Sequence, residues 1–175
     1  MTLKLKRTPG LFLVGFMASG KSTVGRALAD EIGWPFVDID EEIERQQGQS
    51  IAQFFSERGE SVFRDLETEV IRRHIAQIQA GLPSVIALGG GAFVQQQNWK
   101  LISENGVTLW LDCPFETLCD RLGADTTRPL AADRSKLAQL FQDRRPLYSR
   151  ADYRVEVLSG EVSEVVESIR KLPLF

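Results

Sequence analysis

Leu11-Phe12-Leu13-Val14-Gly15-Phe16-Met17-Ala18-Ser19-Gly20-Lys21-Ser22-Thr23 passes from an uninterrupted apolar run into a glycine-bounded loop. Four consecutive apolar residues suit a strand buried on both faces. Val24, Leu28 and Ile32 then recur at helical spacing, which predicts a helix from Lys21 to Ile32. Between strand and helix stands G-x-x-x-x-G-K-S, a pattern with a physical rationale. Glycines allow backbone N–H groups to converge on phosphate oxygens, and the helix N-terminus adds a favourable dipole. Lys21 supplies a mobile positive charge to terminal phosphates, while the Ser22 hydroxyl suits Mg²⁺. A glycine turn with a surface lysine is the plainer reading, but it leaves the strand–loop–helix context unexplained.

Outward from this segment, apolar strand-like runs alternate with amphipathic stretches, the pattern of a parallel sheet wrapped by helices. Residues 35–38, 84–88 and 107–111 read as further strands, and 153–157 as a weaker one near an edge. Between the second and third strands lies helical sequence from about Glu41 to Gln79, broken near Gly48 and Gly59. That exceeds what a crossover needs and predicts an insertion over one end of the sheet. A final helix is expected over 162–172. His74 reads as structural or solvated, Cys113 and Cys119 as packing residues, and Trp34, Trp99 and Trp110 as core or edge aromatics.

The chain has 175 residues, which predicts a single domain over 1–175. Its 24 acidic residues against 21 Lys and Arg argue against a dedicated nucleic-acid binder. No apolar run approaches the ~18–20 residues of a membrane span. Two cysteines make no disulfide framework, and one histidine no His-rich metal site. The opening MTLKLKRTPG reads as a solvated tail, with no apolar stretch of a secretory signal. A cytoplasmic protein without nucleic-acid or membrane partners is expected, and a monomer.

Several further residues carry chemistry. Asp38-Ile39-Asp40 ends the second strand and opens a charged helix, and strand ends of this kind face the ligand crevice. One carboxylate would hold Mg²⁺ through water, the other would bind an acceptor hydroxyl and take its proton. Acidic helix capping is compatible with either role. Arg64, in FRDLE, and Arg144, where an amphipathic helix approaches Pro146, offer guanidinium forks to a planar carboxylate. Gly89-Gly90-Gly91 follows the third strand and suits close ligand approach. A polar loop at 122–134 carries Arg128-Pro129 and reads as a lid over nucleotide.

Taken in order, GFMASGKSTVGRALA, DIDEEIE, FRDLE, ALGGGAF, TTRPL and RRPLY resemble the signature of shikimate kinases, from about Leu11 to Tyr153. The resemblance implies an α/β fold: a three-layer P-loop kinase of the nucleoside-monophosphate-kinase type, with a five-stranded parallel sheet in 2-3-1-4-5 order. It implies a helical shikimate-binding region over 39–80 and transfer of the ATP γ-phosphate to the 3-hydroxyl of shikimate. By that resemblance Ala18, Ser19, Gly20, Lys21, Ser22 and Thr23 cradle ATP phosphates, with Ser22 on Mg²⁺. Asp40 is the base and hydroxyl ligand, and Asp38 assists the metal through water. Arg64, Arg144 and the glycines Gly89, Gly90 and Gly91 hold shikimate. Arg128 acts on the ATP phosphates, and Arg121 lies against adenine. The late loop departs from the family pattern, since Leu158-Ser159-Gly160-Glu161 has no arginine to contact the base. Arg145 leaves a one-residue ambiguity, resolved toward Arg144 by the distance to Pro146-Leu147-Tyr148. Two other readings compete. Another small-molecule kinase of the same fold, such as a gluconate kinase, is one, and a neutral sugar acceptor would not need the two arginines. The other is a nucleotide-binding switch, which would release no ADP in response to an acceptor.

Overall fold

The computed structural model describes residues 10–123, 133–158 and 160–174. In chain order β1 (Gly10–Val14) leads to α1 (Lys21–Ile32), and β2 (Phe36–Asp38) to α2 (Ile39–Gln47), α3 (Ile51–Arg58) and α4 (Glu60–Gln79). Next come β3 (Ser84–Ala87), α5 (Gln96–Asn105), β4 (Val107–Asp112) and α6 (Phe115–Gly123). The chain closes with α7 (Arg134–Tyr148), β5 (Tyr153–Glu156) and α8 (Val162–Arg170). All strand pairs are parallel, in the order β2-β3-β1-β4-β5. The fully apolar β1 is central, with Leu11 in register with both Val85 and Val107. Every β1 residue is buried, as a strand covered on both faces requires. Edge strand β5 alternates, burying Val155 between exposed Arg154 and Glu156.

Helix α1 turns Val24, Gly25, Leu28 and Ala29 inward. Gly25 permits the close approach, because a Cβ there would collide with the Phe36 ring and lie 2.9 Å from Leu13 Cδ1. The expected insertion resolves into α2, α3 and α4. Gly48 ends α2 in the left-handed conformation, and Ser50 and Gln53 form a capping box that starts α3. Phe63 of α4 packs edge-on against Phe54 and Phe55 of α3. Each buried ring contributes on the order of 2–3 kcal/mol of apolar burial. His74 of α4 lies between Glu42 of α2, at 2.6 Å, and Gln77, at 3.2 Å, so it serves the helix interface. Cys113 is buried and Cys119 half-buried, and Trp110 lies in the core with Trp34 and Trp99 packed against it. Helix α7 runs through Pro146 to Tyr148. Among the described residues, no helix is long and apolar enough to cross a membrane. Arg128 and most of the 122–134 segment lie outside the described residues, as does the 1–9 opening.

Candidate active site

Parallel pairing brings all the strand ends to one edge, and because β3 and β4 flank β1, the loop after β1 sits at the switch point of the sheet. The path of that loop is set by backbone geometry that only particular residues accept. Gly15 has φ +146°, and a Cβ there would lie 2.8 Å from the Leu111 carbonyl. Gly20, the N-cap of α1, is left-handed with φ 94°, and Ala18 is left-handed with φ 61°. The N–H groups of Lys21, Ser22 and Thr23 form the first turn of α1, where no intrahelical carbonyl exists to receive them. They supply a ready anion site. Lys21 is 9% exposed and donates to the carbonyls of Gly15 and Phe16, at 3.1 and 2.9 Å. Arg121 reaches across from α6 to donate to the Ala18 carbonyl at 3.0 Å.

Ser22 Oγ donates to Asp38 Oδ2 at 2.5 Å, while Asp38 Oδ1 caps α2 by accepting from Glu41 N. Capping and site-building therefore coincide in one carboxylate. Asp40 stands in the first turn of α2 and reaches over Gly89, where a Cβ would lie 2.5 Å from its Oδ1. Glu67 meets the same point at 2.8 Å. Gly91 lies against the Arg64 guanidinium, and a Cβ there would overlap Nη2. Gly90 sits between the loop after β1 and Arg144: a Cβ on it would lie 3.4 Å from Met17 N and 3.7 Å from Arg144 Nη1. The three glycines thus admit three different neighbours. Asp40, Arg64, Arg144 and these glycines share one cleft of about 1610 Å³ with residues 17–23, Asp38 and Arg121.

Arg64 donates to Glu67 Oε2 at 2.8 Å and to Glu60 Oε1 at 2.9 Å. Burial works against its charge, but the two carboxylates outweigh that and raise its pKa further. Glu67 is fully buried, and burial pushes its pKa up to about 7, with Arg64 opposing and nearby Asp40 adding to the rise. Its Oε1 has no hydrogen-bond partner. Arg145 turns away from the cleft, donating to Asp112 at 2.9 Å and lying over the Trp110 ring, which leaves Arg144 as the arginine on the cleft side.

A family model for shikimate kinase matches residues 17–172. The chain belongs to the shikimate kinase family. A shikimate kinase of Persephonella marina is 41% identical over 160 residues, 91% of this chain and 95% of that protein. The structure of the Acinetobacter baumannii shikimate kinase in complex with shikimate superposes with a TM-score of 0.88 at 36% identity, covering 97% of this chain and 95% of that one. A gluconokinase from Sinorhizobium meliloti, at 19% identity and a TM-score of 0.56 over 93% and 90% of the two chains, shares the fold alone. The activity follows the family: an ATP-dependent kinase that converts shikimate and ATP to shikimate 3-phosphate and ADP.

Glu67 and Tyr148 stand inside the FRDLE and RRPLY stretches, yet reading those motifs gives neither a role. Glu67 follows Arg64 by three positions on α4, and Tyr148 follows Arg144 by four on α7, so each shares a helix face with an arginine. That spacing is the available signal, and it is too common on helices to single them out.

Proposed function

We propose that the cleft divides its labour between a phosphate end, residues 18–23 with Arg121, and an acceptor end, Asp40, Arg64, Gly89, Gly90, Gly91 and Arg144. The observation that carries this reading is the meeting of two carboxyl groups, Asp40 and Glu67, and two guanidiniums around three glycines, next to the loop after β1. Shikimate is a hydroxyl-bearing carboxylate and suits that set. The forks of Arg64 and Arg144 would grip its carboxylate, with Arg64 exchanging exposed Glu60 for the substrate. Asp40 would accept a hydrogen bond from the 3-hydroxyl, orient its oxygen toward the γ-phosphorus and take the proton as the O–P bond forms and the bond to the β-phosphate oxygen breaks. Lys21 would leave its two loop carbonyls to follow the charge on the transferring group. Arg128, by family resemblance, would act on the same phosphates, with 122–134 as the lid; 39–80 would be the shikimate-binding region within a single domain.

Among the described residues no group of three or more His, Cys, Asp or Glu is placed to hold a metal ion. The Ser22–Asp38 pair fits Mg²⁺ nonetheless, because that ion keeps most of its waters and needs few protein ligands beside the phosphates. Ser22 would hold it directly and Asp38 through water, and the ion would offset phosphate charge. ATP as co-substrate fits a cytoplasmic setting. The test is ADP release in a coupled assay with ATP and Mg²⁺, comparing shikimate, gluconate and no acceptor. Release with shikimate alone is expected. Release with gluconate would return the gluconate-kinase reading, and none with either would favour the switch.

A further inference from the structure

Tyr148 closes α7 one turn after Arg144 and is 2% exposed. Its hydroxyl donates to the Gly90 carbonyl at 2.6 Å. The Arg144 guanidinium lies against the same glycine, its Nη1 3.7 Å from where a Gly90 Cβ would stand, and its charge draws the phenol pKa down against the rise from burial. The phenol oxygen and the arginine thus meet at the middle glycine of the acceptor end. A flexible arginine at a helix end has many rotamers, and holding one of them before substrate arrives removes an ordering cost from binding. The face of Gly90 that meets Arg144 also meets Met17 N and the Gly15 carbonyl, so the same glycine references Arg144 to the loop after β1. The Tyr148 ring is itself held in the core, its centroid 6.5 Å from that of Trp110. Trp110 is backed by Arg145, whose other partner is Asp112.

We propose that Tyr148 is a positioning residue for shikimate: its hydroxyl sets the Arg144 fork against Gly90 so that the fork meets the substrate carboxylate. This rests on the reading of Arg144 as a carboxylate ligand. Burial pushes the phenol pKa up to about 12 against the pull of Arg144, so the hydroxyl keeps the proton it donates to Gly90 across the working range of pH. Arg144 can only donate and the Gly90 carbonyl can only accept. The tyrosine oxygen can do both, so while it donates to Gly90 it still offers a lone pair toward the neighbouring guanidinium.

The test is Tyr148→Phe, which removes one oxygen and keeps the ring. Shikimate affinity, kcat and both KM values should be measured in wild type, Tyr148→Phe, Arg144→Ala and the double variant, with thermal melting as a check on folding. The expected result is shikimate binding weakened about tenfold by Tyr148→Phe, with kcat and the KM for ATP little changed. The loss should disappear in the Arg144→Ala background, and for an analogue whose carboxylate is replaced by hydroxymethyl. Equal losses for ATP and shikimate, or for acid and neutral analogue, would make Tyr148 a packing residue and overturn the proposal. Unchanged shikimate affinity in Tyr148→Phe, with a loss in Arg144→Ala, would overturn it while sparing the clamp. Unchanged affinity in both variants would remove the clamp and the proposal together.

Discussion

The proposed phosphate end of the cleft is one segment, Ala18 to Thr23, joined by Arg121 of α6, whereas the proposed acceptor end draws Asp40 from α2, Arg64 from α4, Gly89 from the turn after β3 and Arg144 from α7. The first works mainly through backbone N–H groups and is set by local dihedral angles. The second works through side chains whose positions depend on how four elements pack. An anion cradle can therefore be shared among unrelated kinases, while the identity of the acceptor must be built into tertiary contacts.

Asp40→Asn would sharpen the contrast most. The amide keeps the shape but loses the base, so kcat should fall by about 10²–10⁴-fold while ATP affinity, read by calorimetry, stays near wild type. A collapse of ATP affinity with shikimate binding intact would move Asp40 to the metal and exchange its role with that of Asp38. Lys21→Ala strikes the other end. Turnover should drop by about 10²–10³-fold in a protein whose circular dichroism is unchanged. Full activity would break the assignment of the phosphate loop.

Smaller by an order of magnitude is the carboxylate. Shikimate and its hydroxymethyl analogue should differ by roughly a hundredfold in kcat/KM, because charge-assisted bonds contribute about 1.5–3 kcal/mol each. Arg64→Lys should be harmful too, since an ammonium lacks the planar fork. Equal rates on acid and alcohol in wild type would dissolve the specificity of the acceptor end.

The weakest effect concerns stability. Glu67 holds its proton up to about pH 7 in the folded chain, against an ordinary value of 4.5. Between those values the native state binds more protons than the unfolded one, so stability declines as pH rises through the window, and the cost is complete above it. Glu67→Gln keeps an acceptor for Arg64 and should flatten that decline, by on the order of 3 kcal/mol at most. Melting temperatures from about pH 4.5 to 8 would show it. An unchanged slope would mean that Arg64 holds Glu67 ionised throughout.

What could be read from the residues alone follows the same line. The strands Leu11–Val14 and Val107–Leu111, the helix after Gly20 and the whole phosphate loop were legible because each depends on neighbours within a few positions: apolar run length, 3.6-residue spacing, glycine freedom. Sheet order and the proposed shikimate ligands came from the resemblance of six ordered motifs, since no spacing in a single chain states that Asp40, Arg64 and Arg144 converge. Only the folded chain shows Arg145 turned to Asp112 and Trp110 while Arg144 faces Gly90, a choice between adjacent residues made by the rotation of α7. The same holds for Glu67 and Tyr148. Their burial and the Tyr148 bond to Gly90 belong to tertiary contacts, and burial is what converts a helical glutamate into a group with a shifted proton.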